Sequence, residues 1–123
     1  MDIYDEFFSI IKKLNQINIQ YVIVGGIALS FHTRPRYTKD IDILLLAEDV
    51  DKFKSELKTM GYIIEATPWT FKNTNITLHR LTKTEGEDLL TIDLLAGNEE
   101  KHKEIIKNSI IEKTDYGLVV LHK

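Results

Sequence analysis

YVIVGGIALSFHTRPRYTKDIDILLL, residues 21–46, sets two strand-like runs around a glycine pair and a segment stopped by proline. Tyr21, Val22, Ile23 and Val24 are aromatic or β-branched in succession, the composition of a short buried strand. Gly25 and Gly26 end it. Residues 27–32 permit a helical turn, and Pro35 closes it because its ring lacks a donor and restricts Arg34 before it. A second strand is expected over 38–46. Its period of two puts Asp40 and Asp42 on one face and Ile41 and Ile43 on the other.

On the N-terminal side, Ile3, Phe7, Ile10, Ile11 and Leu14 recur at helical spacing, which predicts a helix over 2–14 that covers the sheet, followed by a polar connection over 15–20. On the C-terminal side, Val50, Phe53, Leu57 and Met60 form the stripe of a second helix that Gly61 can terminate in a left-handed cap. Beyond it we expect an edge strand over 62–65, a break at Pro68, a long strand over 70–82 and a hairpin loop over 83–88. A third core strand over 89–95, a charged helix over 99–113, a turn at Tyr116 and Gly117, and a last strand over 117–122 complete the pattern. The sum is a single α+β domain over 1–123: a short mixed sheet with helices on one face and the aspartates on the other.

The bulk composition limits the chemistry. A chain of 123 residues with 43% hydrophobic and 28% charged residues can bury one core without staples. It has no cysteine, which removes thiolate catalysis, disulfide frameworks and cysteine-held zinc. A net charge of −3 argues against a broadly basic nucleic-acid binder. The opening MDIYDEFFSIIKKL carries acids where a secretory signal has bases, and no apolar run nears the roughly 20 residues of a membrane span, so the expectation is a cytoplasmic protein with no membrane partner.

Two carboxylates on one strand face repel unless they share a cation, and a hard oxygen-seeking ion such as Mg²⁺ relieves the repulsion. Asp93 lies inside the apolar LLTIDLLAG, flanked by Ile92 and Leu94, and a carboxylate there calls for a partner. With Asp40 and Asp42 it would complete a two-metal arrangement, with ions about 3.5–4 Å apart. Each element also has a plainer reading: a solvated strand end for the aspartates, a tight turn for the glycines. The glycine pair lets backbone amides approach an anion at a helix start, and neither GK[ST] nor GxGxxG is present.

Val24-Gly25-Gly26, then Asp40-Ile41-Asp42, then Asp93 on a later strand, resemble the signature of the nucleotidyltransferase superfamily that shares the DNA polymerase β palm-like fold. The layout looks like small bacterial proteins related to toxin-antitoxin nucleotidyltransferases and like lincosamide-type antibiotic nucleotidyltransferases. The resemblance implies transfer of a nucleoside monophosphate from an NTP such as ATP to a hydroxyl, with pyrophosphate leaving. It also implies two Mg²⁺ ions on Asp40, Asp42 and Asp93, with Asp93 helping to deprotonate the acceptor, and Gly25 and Gly26 on the β and γ phosphates. The acceptor stays open between RNA, protein and a small antibiotic. A non-catalytic partner module of a toxin-antitoxin system and a plain interaction domain are the alternatives, and a second copy or partner protein is a candidate for closing the cleft.

Around this set, Arg34, Arg36 and Lys39 suit either a triphosphate or a solvated loop, with Arg34 and Lys39 the preferred phosphate ligands. Ser30 fits a phosphate contact or helix packing, and Thr38 a phosphate contact or β propensity. His79 and Arg80 read as a cross-strand surface pair, although one of them can face the site; Trp69 and Tyr62 read as packing residues or base-stacking ones; His32, His102 and His122 have no metal spacing.

Overall fold

The protein is described by a computed structural model that covers residues 1–24, 40–72, 74–114 and 117–122. Helix α1 spans Ile3–Gln16, and Asp2 starts it by accepting from the amides of Tyr4 (2.8 Å) and Asp5 (3.2 Å). Its stripe, Phe7, Ile10, Ile11 and Leu14, is fully buried. Two residues past its end, Asn18 with a φ of 57° turns the chain so that Ile19 N–H donates to the Leu14 carbonyl at 3.2 Å. Helix α2, Val50–Thr59, ends the same way: Gly61 adopts φ 101° and Tyr62 N–H donates to the Leu57 carbonyl at 3.0 Å. A Cβ at Gly61 would also lie 3.2 Å from the Lys83 stem, so the left-handed cap and the close approach both favour glycine.

Among the described residues, eight strands form one mixed sheet: β1 (Tyr21–Val24), β2 (Asp40–Leu46), β3 (Ile64–Glu65), β4 (Trp69–Thr70), β5 (Thr77–Glu85), β6 (Asp88–Gly97), β7 (Ser109–Thr114) and β8 (Gly117–His122). The order across it is β3-β5-β6-β2-β1-β8-β7, with β4 also paired to β5. The β2–β6 and β1–β8 pairs are parallel and the others antiparallel. Ile41, Ile43 and Leu45 of β2 and Leu90, Ile92, Leu94 and Ala96 of β6 join the stripes of α1 and α2 in one core. Helix α3, Glu99–Lys107, follows β6 and packs against β2 and β6. No helix among the described residues is long and apolar enough to cross a membrane.

Three expected boundaries are corrected. The long strand over 70–82 is a hairpin of β4 and β5, because the Thr74 side chain folds the intervening segment on itself: its Oγ1 donates to the Phe71 carbonyl at 2.8 Å and accepts from Ile76 N–H at 3.2 Å. The loop over 83–88 shrinks to Gly86 and Glu87, with Gly86 at φ 62° and Glu85 paired to Asp88. The helix over 99–113 stops at Lys107. Asn108 and Ser109 take over its last carbonyls, Nδ2 reaching Glu104 O at 3.4 Å and Oγ reaching Ile105 O at 2.9 Å. The β-branched Ile110 and Ile111 then pair with β8 instead of extending the helix. The helical turn expected over 27–32 lies outside the described residues.

Candidate active site

Parallel pairing of β2 with β6 sets Asp42 directly beside Asp93 and Asp40 beside Thr91. Register partners project from the same face and strand neighbours two apart share it, so Asp40, Asp42 and Asp93 stand together opposite the isoleucines of the core. The burial pattern follows: Ile41 and Ile43 are 0% exposed, while Asp40 at the strand start is exposed and Asp42 half-buried. Asp93, in mid-strand, is 7% exposed. Val24, the last described residue before the glycine pair, lies opposite Asp42 on β1.

Antiparallel pairing of β5 with β6 brings Arg80 against Asp93 from the other side. The guanidinium grips the carboxylate with two parallel bonds, Nε to Oδ1 at 2.8 Å and Nη2 to Oδ2 at 3.0 Å. Half of the Arg80 side chain is exposed against 10% of Asp93's, so the carboxylate is sunk in the sheet and the cation reaches in from solvent. One step along the same face, the Thr82 and Thr91 hydroxyls lie 3.4 Å apart.

The carboxylates outnumber the cation. Burial, the charges of Asp93 and Asp40 and a hydrogen bond with Asp93 push the Asp42 carboxyl up to about 6, and Arg80 opposes the shift. Arg80 in turn is held further in its charged form by the bond to Asp93. Among the described residues, no three acid or imidazole side chains gather as a ready-made metal cage. The donor chemistry still suits Mg²⁺, which binds one or two carboxylates and completes its shell with water and substrate phosphates. An oxygen-only pair, Asp42 beside Asp93, with Asp40 on the same face and an excess of negative charge, fits that habit.

Of the residues singled out in the sequence, Asp40, Asp42 and Asp93 are brought to one face. Gly25, Gly26, Ser30, Arg34, Arg36, Thr38 and Lys39 lie outside the described residues, as does His32. Of His79 and Arg80, for which a cross-strand surface pair was preferred and a place at the site kept open for one, Arg80 pairs across the strands with Asp93 on the aspartate face. The signal was the hairpin register: pairing Glu85 with Asp88 carries Arg80 onto Asp93, five residues back on one strand and five on along the other. Treating 83–88 as loop hid it.

Of the remaining candidates, His79, His102 and Tyr62 are packing residues, whereas Trp69 is exposed. His79 alternates to the opposite face, where burial pulls its imidazole down and its Nδ1 has no hydrogen-bond partner among the described residues. His102 of α3 is 2% exposed, its imidazole also pulled down by burial, with neither ring nitrogen bonded among the described residues. Tyr62 is fully buried and donates to Glu6 Oε1 at 3.1 Å. Trp69, 58% exposed, stacks edge-on with Phe71 at 4.6 Å between centroids.

Comparisons with known proteins bear on the fold and the family. The fold is similar to the crystal structure of a nucleotidyltransferase candidate from Thermotoga maritima, with a TM-score of 0.67 at 13% identity over 98% of this chain and 76% of that one. Curated proteins give no significant match. The family model described as aminoglycoside-2''-adenylyltransferase matches residues 6–115, which takes in all three aspartates and Arg80. The chain therefore belongs to the aminoglycoside-2''-adenylyltransferase family, within the nucleotidyltransferase superfamily.

Proposed function

We propose that this chain, acting as one transferase domain, moves a nucleoside monophosphate from an NTP to a hydroxyl group. The acceptor oxygen attacks the α-phosphorus, the bond from that phosphorus to the bridging β-oxygen breaks, and pyrophosphate leaves with the electron pair. The observation that carries the reading is the side-by-side placement of Asp42 and Asp93 on parallel β2 and β6, in a chain of this family. Asp40, Asp42 and Asp93 would hold the divalent ions, whose positive charge offsets the charge that builds on the transferring phosphoryl group.

The residues of the chain have separable roles in this scheme. The buried strand β6 fixes Asp93, so the carboxylate keeps its aim without solvent reorganisation. The same carboxylate takes the hydroxyl proton and passes it to solvent. Gly25 and Gly26, which follow Val24 opposite Asp42, would present amides to the β and γ phosphates, with Ser30, Arg34 and Lys39 as further phosphate ligands. The family name points to an amino sugar as the acceptor, and a net charge of −3 with three carboxylates grouped on one sheet face suits a polycationic one.

The test is incubation with each α-labelled NTP, Mg²⁺ and, in parallel, an aminoglycoside panel, RNA and protein. Label on an aminoglycoside, with one pyrophosphate released per transfer, is the expected result. Label on RNA or protein alone would replace the acceptor class, and transfer to nothing from any NTP would overturn the reading. One observation favours a non-catalytic nucleotide-binding or partner module as the second reading: Arg80 fills both oxygens of Asp93. That reading predicts nucleotide binding without turnover.

A further inference from the structure

We propose that Arg80 is a built-in counter-cation for Asp93, which holds that carboxylate in the nucleotide-free protein and gives it up when a divalent ion arrives together with a triphosphate. The inference rests on the reading of Asp93 as a metal ligand. It adds an order to the loading: the metal alone binds weakly, and metal with nucleotide is admitted.

Asp93 is already occupied. Both of its oxygens are engaged by Arg80, at 2.8 and 3.0 Å, in a two-pronged charge-assisted bond. Asp93 is 7% exposed and lies within an apolar strand, where a lone carboxylate is costly. Removing its partner without a replacement is therefore unfavourable, and any ion that takes Asp93 must displace a cation already in place. A divalent ion beside the guanidinium also meets like-charge repulsion.

Arg80 is free to move where Asp93 is not. Asp93 is anchored by a strand paired on both sides, whereas half of the Arg80 side chain is already in solvent. The guanidinium can leave by side-chain rotation with the backbone of β5 unmoved. A triphosphate held at the neighbouring aspartates brings several negative charges to the same face, so the released guanidinium exchanges a carboxylate for phosphate oxygens. Lysine cannot substitute fully, because a point charge does not make the two parallel bonds. Metal and nucleotide thus favour each other through Arg80, a coupling that must be reciprocal.

The experiment measures Mn²⁺ binding to the folded full chain by the loss of free-ion paramagnetic signal, with and without a non-hydrolysable NTP. In the wild type, Mn²⁺ alone binds weakly and nucleotide tightens it. Arg80→Gln is expected to tighten Mn²⁺ binding to the nucleotide-free protein by about tenfold, a change of one charge at direct contact, and to shrink the gain from nucleotide. Arg80→Lys falls between, and serves alone if the glutamine variant does not fold. Unchanged or weaker Mn²⁺ binding in both variants, with circular dichroism intact, overturns the inference. Asp93→Asn separates the two ideas. If it abolishes the nucleotide-linked Mn²⁺ binding while the Arg80 variants change nothing, the ligand stands and the counter-cation falls; if it leaves that binding intact, both fall.

Discussion

The two faces of β2 and β6 differ in what each demands of the same strands. Ile41, Ile43, Ile92 and Leu94 on one face are each 0% exposed beneath α1 and α2. Asp40, Asp42 and Asp93, one residue out of phase, crowd like charges on the other. The first face supplies the driving force for folding, and the second costs some of it. The strands can hold three carboxylates in place because their alternate residues are locked into a core that does not depend on them.

The contrast is broken most strongly at Asp42. Asp42→Ala should lower nucleotidyl transfer by about a thousandfold or more, the scale set by losing several kcal/mol of charge stabilisation, while leaving the circular dichroism spectrum unchanged. Ile92→Ala, on the other face, should do the reverse. It should cost about 2–5 kcal/mol in denaturant unfolding, and the protein that remains folded should keep its rate per molecule.

A smaller effect sharpens the claim that the aspartate face is destabilising. The Asp42 carboxyl is raised from 3.8 to about 6 in the folded chain, so the native state binds its proton more tightly than the unfolded state. Its contribution to stability is therefore present below about pH 4 and lost as pH rises through about 6. Asp42→Asn should match the metal-free wild type near pH 4 and exceed it at pH 7 by about 1–2 kcal/mol, after a discount for partial solvent screening. Equal stability of the two at pH 7 would remove the strain from the account. The smallest expected effect lies at Glu6, which joins Lys83 by an ion pair and accepts from the buried Tyr62 hydroxyl at 3.1 Å. Glu6→Ala should cost about 1–2 kcal/mol in stability and leave activity untouched.

Much of this was legible in the residues because period and punctuation decided it. The four residues of β1 and the six of β8 were bounded correctly, and Asp93 was recognisable as a carboxylate out of place among Ile92 and Leu94. Arg80 was placed within a strand as one of two residues able to face the site, but its pairing with Asp93 was not legible, since that depends on a hairpin register that propagates from Gly86. The end of α3 was missed for a related reason: Ile105 and Ile110 fit a helical stripe as well as they fit a helix followed by a strand, and pairing with β8 decided the matter. Long-range pairing is what local pattern cannot supply.

The account stands most directly on one crystallographic measurement: anomalous scattering from Mn²⁺ in crystals grown with a non-hydrolysable NTP. It predicts a peak within about 2.0–2.4 Å of carboxylate oxygens of both Asp42 and Asp93, with the nucleotide phosphates on the same ion and Arg80 turned away from Asp93. A nucleotide bound with no metal at Asp42 and Asp93, or with the Arg80–Asp93 pair still closed over both oxygens, would contradict it.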